Sequence, residues 1–223
     1  MSKKKKETPI LADEMLSKSE AFVQKYKKAI VAITAIILLV VGGLMAYRNL
    51  VQEPKENEAA SSLVYAQEYF AKDSFNLALN GDGINPGYIA IINEYSGTNA
   101  ANIAYAEAGI CYAQMNDYDK AIEMLEQYKG NSDERIISPT IKHLLGNCYS
   151  HKENYDKAIE LILEAAEEAS NIAITPYCLF EVAAMYEVKG NAIEANKLYE
   201  RIKKEYPRSP IANEAAALIE ATK

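Results

Sequence analysis

The chain has 223 residues, 49% of them hydrophobic, with 24 Lys and Arg against 31 Asp and Glu for a formal charge of -7. That length holds one anchor and one modest domain. Residues 1–28 hold eight Lys against four acids, which leaves -11 for the remainder, and a domain that acidic repels phosphate backbones, so nucleic acid is excluded as a partner.

Residues 1–28 read as a basic cytoplasmic tail carrying Lys3, Lys4, Lys5, Lys6, Lys18, Lys25, Lys27 and Lys28. Within it, Leu11, Met15, Phe22 and Tyr26 fall at helical spacing, the pattern of a short amphipathic helix resting on a membrane surface. Residues 29–47, Ala29 to Tyr47, are 19 residues without a charge. At about 1.5 Å per residue such a helix spans roughly the 30 Å hydrocarbon core, so a transmembrane helix is expected. A globular core helix would show a polar face. A cleaved signal would have a shorter basic segment, an apolar run of about 7–15 residues and a small-x-small site, where this chain has Leu44-Met45-Ala46.

After the span come only Arg48 and Lys55, among Glu53, Glu56 and Glu58. The lysine bias therefore predicts a cytoplasmic N-terminus and a C-terminal domain across the membrane, which in a bacterium is the periplasmic side of the inner membrane.

Residues 48–55 form a linker, and 56–97 an atypical first helical repeat, with helices over 56–72 and 86–95 around the long Asn80–Gly87 loop. Asp82 and its neighbours supply too few acidic oxygens at alternate positions for a calcium loop, so the segment reads as an irregular turn.

Residues 98–207 contain three repeats of period 37. Gly109, Gly146 and Ala183 share the spacing, as do Tyr112, Tyr149 and Tyr186, and Ala121, Ala158 and Ala195. Tyr118 and Tyr155 are each followed by Asp-Lys-Ala-Ile, and Pro139 and Pro176 each follow a hydroxyl residue, Ser138 and Thr175. That pair reads as an N-cap with proline at the first helical position. The register extends backwards: Tyr88, Glu94, Tyr95, Ala101, Asn102 and Ala104 match Tyr199, Glu205, Tyr206, Ala212, Asn213 and Ala215 at 111 residues, three periods. Each unit is two helices, expected over 99–115 and 118–129, 139–151 and 155–169, 176–189 and 191–205. In this pattern the small residues let the paired helices approach and the tyrosines fill the wedge between units. Residues 208–223, with Ile211, Ala215, Leu218 and Ile219 on one face, should cap the stack. The fold class is all-α: one transmembrane helix, then an α-solenoid of about four helix pairs with a capping helix.

Cys111, Cys148 and Cys178 lack metal-site spacing and read as small buried residues. Cys111 and Cys148 occupy equivalent positions of stacked helices, roughly 10 Å apart and too far for a disulfide. His143 and His151 have no ligand pattern around them, so neither a metal nor any other cofactor is expected. There is no nucleophile elbow, Gly-rich phosphate loop or zinc-binding helix motif, which argues against an enzyme and a small-molecule substrate.

The small residue, Tyr, Ala and large apolar residue (Leu125, Ile162, Tyr199) of each unit resemble the tetratricopeptide repeat, and Pro207 matches that repeat's terminal proline. The usual unit has about 34 residues, so this one is nearly one helical turn longer. Lys142 stands where an aromatic is usual, and Ser170 replaces the proline. The basic tail, the N-in span and Tyr-Ser-Gly-Thr-Asn-Ala-Ala-Asn at 95–102 together resemble the single-span tetratricopeptide proteins related to the ancillary subunit of the SecYEG translocon.

That resemblance implies a periplasmic scaffold beside the translocon, with translocon subunits, periplasmic chaperones and secretory chains as partners and the bilayer held through residues 29–47. By analogy, a protein-binding groove would be lined by Ile103, Ala106 and Ile110, then Thr140, His143 and Asn147, then Tyr177, Phe180 and Ala184. None of the nine is Lys or Arg, so the basic carboxylate clamp of chaperone-binding relatives is missing, and a neutral to apolar groove suits an extended or helical hydrophobic peptide. Tyr177 and Phe180 packing under the C-terminal helix is an equal alternative. A scaffold for envelope assembly or cell division is the alternative function, disfavoured because such proteins often are lipidated or carry a coiled coil. A receptor for a small molecule would need a pocket lined by convergent polar groups, and the sequence discloses none.

Overall fold

The computed structural model describes residues 10–130 and 133–221, with 10–22 and 221 described by backbone alone. Lys3, Lys4, Lys5 and Lys6 therefore lie outside the described residues, as do the side chains of Leu11, Met15 and Phe22. The chain forms two compact units that meet at Pro54 and Lys55.

In the first unit, α1 runs from Ile10 to Tyr47 as one helix, followed by a π-helical turn at Arg48–Gln52. Among the described residues this is the one helix long and apolar enough to cross a membrane. From Val23 to Tyr47 its side chains are exposed. Thr34, the polar residue in the run, turns its hydroxyl back to the Ile30 carbonyl at 2.9 Å, which removes an unpaired donor from an apolar surface.

From Glu53 onward the chain is a succession of helices: α2 (Glu53–Phe70), α3 (Phe75–Asn80), α4 (Tyr88–Glu94), α5 (Asn99–Gln114), α6 (Tyr118–Gln127), α7 (Ile137–His151), α8 (Tyr155–Ala169), α9 (Thr175–Val188), α10 (Ala192–Glu205) and α11 (Ala212–Ala221). No strand occurs among the described residues. From α4 onward each helix packs chiefly on its neighbours in sequence, as in a repeat stack, whereas α3 packs on α5 as well as on α4.

The 37-residue period is written into the backbone. Asn116, Glu153 and Gly190 each take a left-handed conformation, with φ of 60°, 59° and 73°. The next residues, Asp117, Asn154 and Asn191, each cap the following helix by accepting from the amide three residues on. Only Gly190 meets the left-handed requirement without a Cβ penalty. Close approach is the second recurring device. A Cβ on Gly146 would lie 2.5 Å from Cγ1 of Ile162, and one on Gly109 would lie 2.5 Å from Cγ of Leu125. Glycine here sets the distance between the two helices of a unit.

The proline sites differ from expectation. The helices begin before the prolines, with Ile137 and Thr175 as first residues and Ile136 and Ile174 as caps without a side-chain bond. At α7 an upstream side chain takes over the capping, and before α9 an Asn171 turn orders the chain while its backbone carbonyl accepts from the Thr175 amide at 3.2 Å. The Glu134 carboxylate accepts from the amides of Ile137 at 2.8 Å and Ser138 at 3.3 Å. The Asn171 side-chain oxygen accepts from Ala173 and Ile174 at 2.9 Å each. Thr175, 1% exposed, instead donates its hydroxyl to the Ala166 carbonyl of the preceding helix at 3.0 Å. Proline still removes an amide that the first turn would leave unpaired.

The first repeat contains α3, which sequence periodicity did not disclose. It packs through Phe75 edge-on to Phe70 at 6.0 Å and buries Ala78 and Leu79 beneath Tyr88 and Ile91. In the loop that follows, Asp82 accepts from the amides of Ile84 and Asn85 at 2.8 and 2.6 Å, from the Tyr69 hydroxyl at 2.7 Å and from the Asn85 amide group at 3.0 Å. Those donors hold its carboxyl well below the usual range, the Asn85 backbone most strongly, and they occupy the oxygens a cation would need.

Cys111, Cys148 and Cys178 are free and buried, and burial pushes their thiols to about 12, about 11 and about 12. Thiolate is the reactive form. The native protein is therefore expected to leave all three unlabelled by a thiol-disulfide reagent at neutral pH, and to release three equivalents on denaturation. Rapid labelling of the native protein would contradict this packing.

Candidate protein-binding groove

The first helices of the three regular units, α5, α7 and α9, carry the nine groove positions. Ile103, Thr140 and Tyr177 hold one repeat position in the early turns of their helices, and all three are exposed, Ile103 at 41% and Tyr177 at 40%. Thr140 bonds its own helix, donating to the Ile136 carbonyl at 2.6 Å, so its methyl is the group left to face outward. Ala106, His143 and Phe180 hold the next position. Ala106 is 5% exposed, packed with Leu125 and Ile141, and acts as a spacer. Phe180 is half-buried with its ring 5.4 Å from that of Tyr199 on α10. Ile110, Asn147 and Ala184 complete the set, all half-buried.

Two of the nine, His143 and Asn147, belong to a polar bridge that sequence reading did not name. His143 lies 2.5 Å from an oxygen of Glu181 on α9, and the Asn147 amide nitrogen is 3.4 Å from the same ring nitrogen. This bridge joins α7 to α9 across the repeat boundary. Glu181 has a counterpart two periods back in Glu107, which is partly buried and receives both bonds from the Gln67 side chain at 2.9 and 3.2 Å. Burial raises the Glu107 carboxyl above its ordinary value. Two carboxylates at one repeat position, 74 residues apart, are the signal that could have found them.

Exposed apolar residues extend the surface at its edge. Ile136 is 66% exposed, Ile137 58% and Ile172 51%, and the two segments that carry them are tied by the Asn171 amide donating to the Arg135 carbonyl at 3.1 Å. They form an apolar lip where α7 and α9 begin. Solvent-facing isoleucines in this number mark a contact surface more often than a solvated one. Among the described residues no group of three His, Cys, Asp or Glu is placed to hold a metal ion.

The segment at 95–102 is spent on architecture. Gly97 turns the chain at φ 85°, and the Thr98 hydroxyl caps α5 by accepting from Ala101 at 3.0 Å while donating to Tyr95 at 2.7 Å. Glu56 accepts from the amides of Asn99 and Ala100 at 2.7 and 2.9 Å. Asn102 braces the end of α6 through both backbone groups of Lys129, at 2.8 and 3.0 Å.

The family model for the tetratricopeptide repeat-like domain matches residues 20–209. No curated protein matches the chain. Among solved structures, the kinesin light chain nearly identical TPR-like repeats from Podosopora anserina are similar, with TM-score 0.53 and 16% identity over 74% of this chain and 84% of that one. A variant of the same repeats gives the same values. YrrB, described as a TPR protein with an unusual peptide-binding site, is 17% identical over 77% of this chain and 98% of its own, at TM-score 0.32. At such identities the likeness establishes the fold alone.

Proposed function

The chain belongs to the tetratricopeptide repeat-like domain family, and from that premise we propose that it is a membrane-anchored scaffold that holds proteins at the bacterial inner membrane, on the periplasmic side. The fold itself is that of a protein-interaction scaffold, with no catalytic constellation among its described residues. What carries the finer reading is the lysine asymmetry around an apolar helix that directly precedes a repeat stack: eight Lys before the span against Arg48 and Lys55 close after it. The positive-inside rule then sends the stack outward.

The groove reading rests on residue chemistry. Its nine positions include no Lys or Arg, and its exposed members, with the lip formed by Ile136, Ile137 and Ile172, are apolar or uncharged. Such a surface suits hydrophobic segments that are not yet folded, as in a chain emerging from a translocon, better than a C-terminal carboxylate. On this reading the partners are translocon subunits, periplasmic chaperones and secretory chains.

A photoreactive residue placed at Ile110, His143 or Phe180 in cells, followed by mass spectrometry of the crosslinked species, is expected to recover translocon subunits and secretory chains. Recovery of cell-wall synthases alone would overturn the translocon assignment in favour of an envelope-assembly scaffold.

A further inference from the structure

The junction between the first two regular units is built differently from the next one. In the second unit α8 continues to Ala169, and its last turns bury Ala165, Ala166 and Ala169, each 0–1% exposed, against the start of α9. The corresponding helix of the first unit, α6, stops at Gln127, so Tyr128 and Lys129 stand in the repeat positions of Ala165 and Ala166 as connecting chain. The last five residues of helix that close one junction, more than one turn, are missing from the other. The result is a cavity of about 450 Å³ between α6, α7 and α8, floored by Leu125, Ile141, Leu145 and Leu161. That volume lies within the range of about 300–1,000 Å³ of ligand pockets.

The substitution that marks the cavity is Lys142. Its equivalents are Tyr105 and Leu179, and Leu179 is fully buried. The ammonium of Lys142 reaches two carboxylates of α8, Glu164 at 3.1 Å and Glu168, which leaves one negative charge over. On the opposite wall Glu126 takes the Tyr149 hydroxyl at 2.5 Å, and among the described residues no ion pair reaches it. Lys157, also at the wall, is neutralised by Glu160 at 3.1 Å. The mouth is thus net negative over an apolar floor.

On α7 the cavity residues Ser138, Ile141, Lys142 and Leu145 and the groove residues Thr140, His143 and Asn147 project about 180° apart, at roughly 100° per residue. The cavity is a second surface, independent of the groove.

We propose that this cavity binds a peptide segment of a protein partner in which an apolar residue adjoins an Arg or Lys, the apolar side chain seated on the floor and the cation paired with Glu126 and the surplus charge at Glu164 and Glu168. The acidic charge of the chain beyond residue 28 draws such segments in, and a charge-assisted pair at a partly desolvated mouth contributes about tenfold or more in affinity.

The test uses the full-length protein in nanodiscs and a fluorescein-labelled Gly-Ser peptide containing one Phe-Arg pair, read by anisotropy against the same peptide with Phe-Glu. The Phe-Arg peptide is expected to bind at least tenfold more tightly. Glu126→Gln, an exposed change, should weaken it about tenfold, and Leu161→Trp, which fills the cavity, should abolish it. Groove crosslinks from Phe180 should survive both changes, which separates failure here from failure of the groove reading. Equal binding of the two peptides, or unchanged binding in both variants, would overturn the proposal. So would binding of 4-phenylbutylamine at the cavity with no binding of the Phe-Arg peptide, which would assign the site to free amines.

Discussion

Gly146→Ala is expected to destabilise the repeat stack by about 1–3 kcal/mol, measured by urea unfolding followed by far-ultraviolet circular dichroism. Helix propensity alone predicts the opposite sign, a gain of about 1 kcal/mol for Ala over Gly inside a helix. The outcome is decided by space. The new Cβ would sit 2.5 Å from Cγ1 of Ile162 and 3.2 Å from the Ala158 carbonyl oxygen. Ile162 is fully buried and cannot swing away, and the carbonyl belongs to the backbone of α8. Close packing leaves no compensating void, so α7 and α8 must part. Gly146→Leu should cost more, about 3 kcal/mol or beyond. In an Ile162→Ala background, which lacks Cγ1, Gly146→Ala should cost less, because the two sites share one contact and couple. A stabilised Gly146→Ala would show that the helices do not approach this closely.

Tyr199→Ala is expected to cost about 3–5 kcal/mol. Its ring is 1% exposed, sits in the cluster formed with Leu179, Val182, Ile202 and Ala215, and meets Phe180 at 5.4 Å. It therefore ties α9, α10 and α11 together, and its loss leaves a cavity at both faces of α10. Burial, then the neighbouring Glu187, pushes its phenol up to about 12. Tyr199→Phe keeps the ring and should cost about 1 kcal/mol, the net worth of one hydrogen bond. Tyr177→Ala, on an exposed position, should change stability by no more than about 0.5 kcal/mol. If unfolding midpoints for Tyr199→Ala and Tyr177→Ala were equal, the C-terminal core would not be organised around Tyr199.

The regular repeats were legible because their devices recur. A small residue, a tyrosine and an alanine at fixed spacing report helix approach and wedge filling wherever they occur, and α5 to α10 lie within two residues of expectation at every boundary outside the proline sites. The misses have physical reasons. The six residues of α3 are too short for helical periodicity to register, and its stability comes from packing on Tyr88 and Ile91. At Ser138 and Thr175 a hydroxyl before proline imitated a cap, whereas the Glu134 side chain takes the first amides of α7 and the Asn171 backbone carbonyl takes the Thr175 amide.

The candidate site was legible as positions and not as chemistry. Repeat phase located Ile103, Thr140 and Tyr177 on the exposed edge, but the bridge from His143 to Glu181 crosses a unit boundary at a separation of 38, one residue off the period. The cavity was signalled by Lys142 in an otherwise apolar position. Its volume depends on α6 ending five residues early, which only the packing of neighbouring helices reveals.

On the proposed reading, one N-in span displays the repeat stack across the membrane. This topology is tested most directly by fusing alkaline phosphatase, which folds only outside the cytoplasm, after Lys223 in bacterial cells. An active fusion, matched by an inactive one placed before Ala29, is the predicted result; an inactive fusion at Lys223 would place the repeats in the cytoplasm and contradict it.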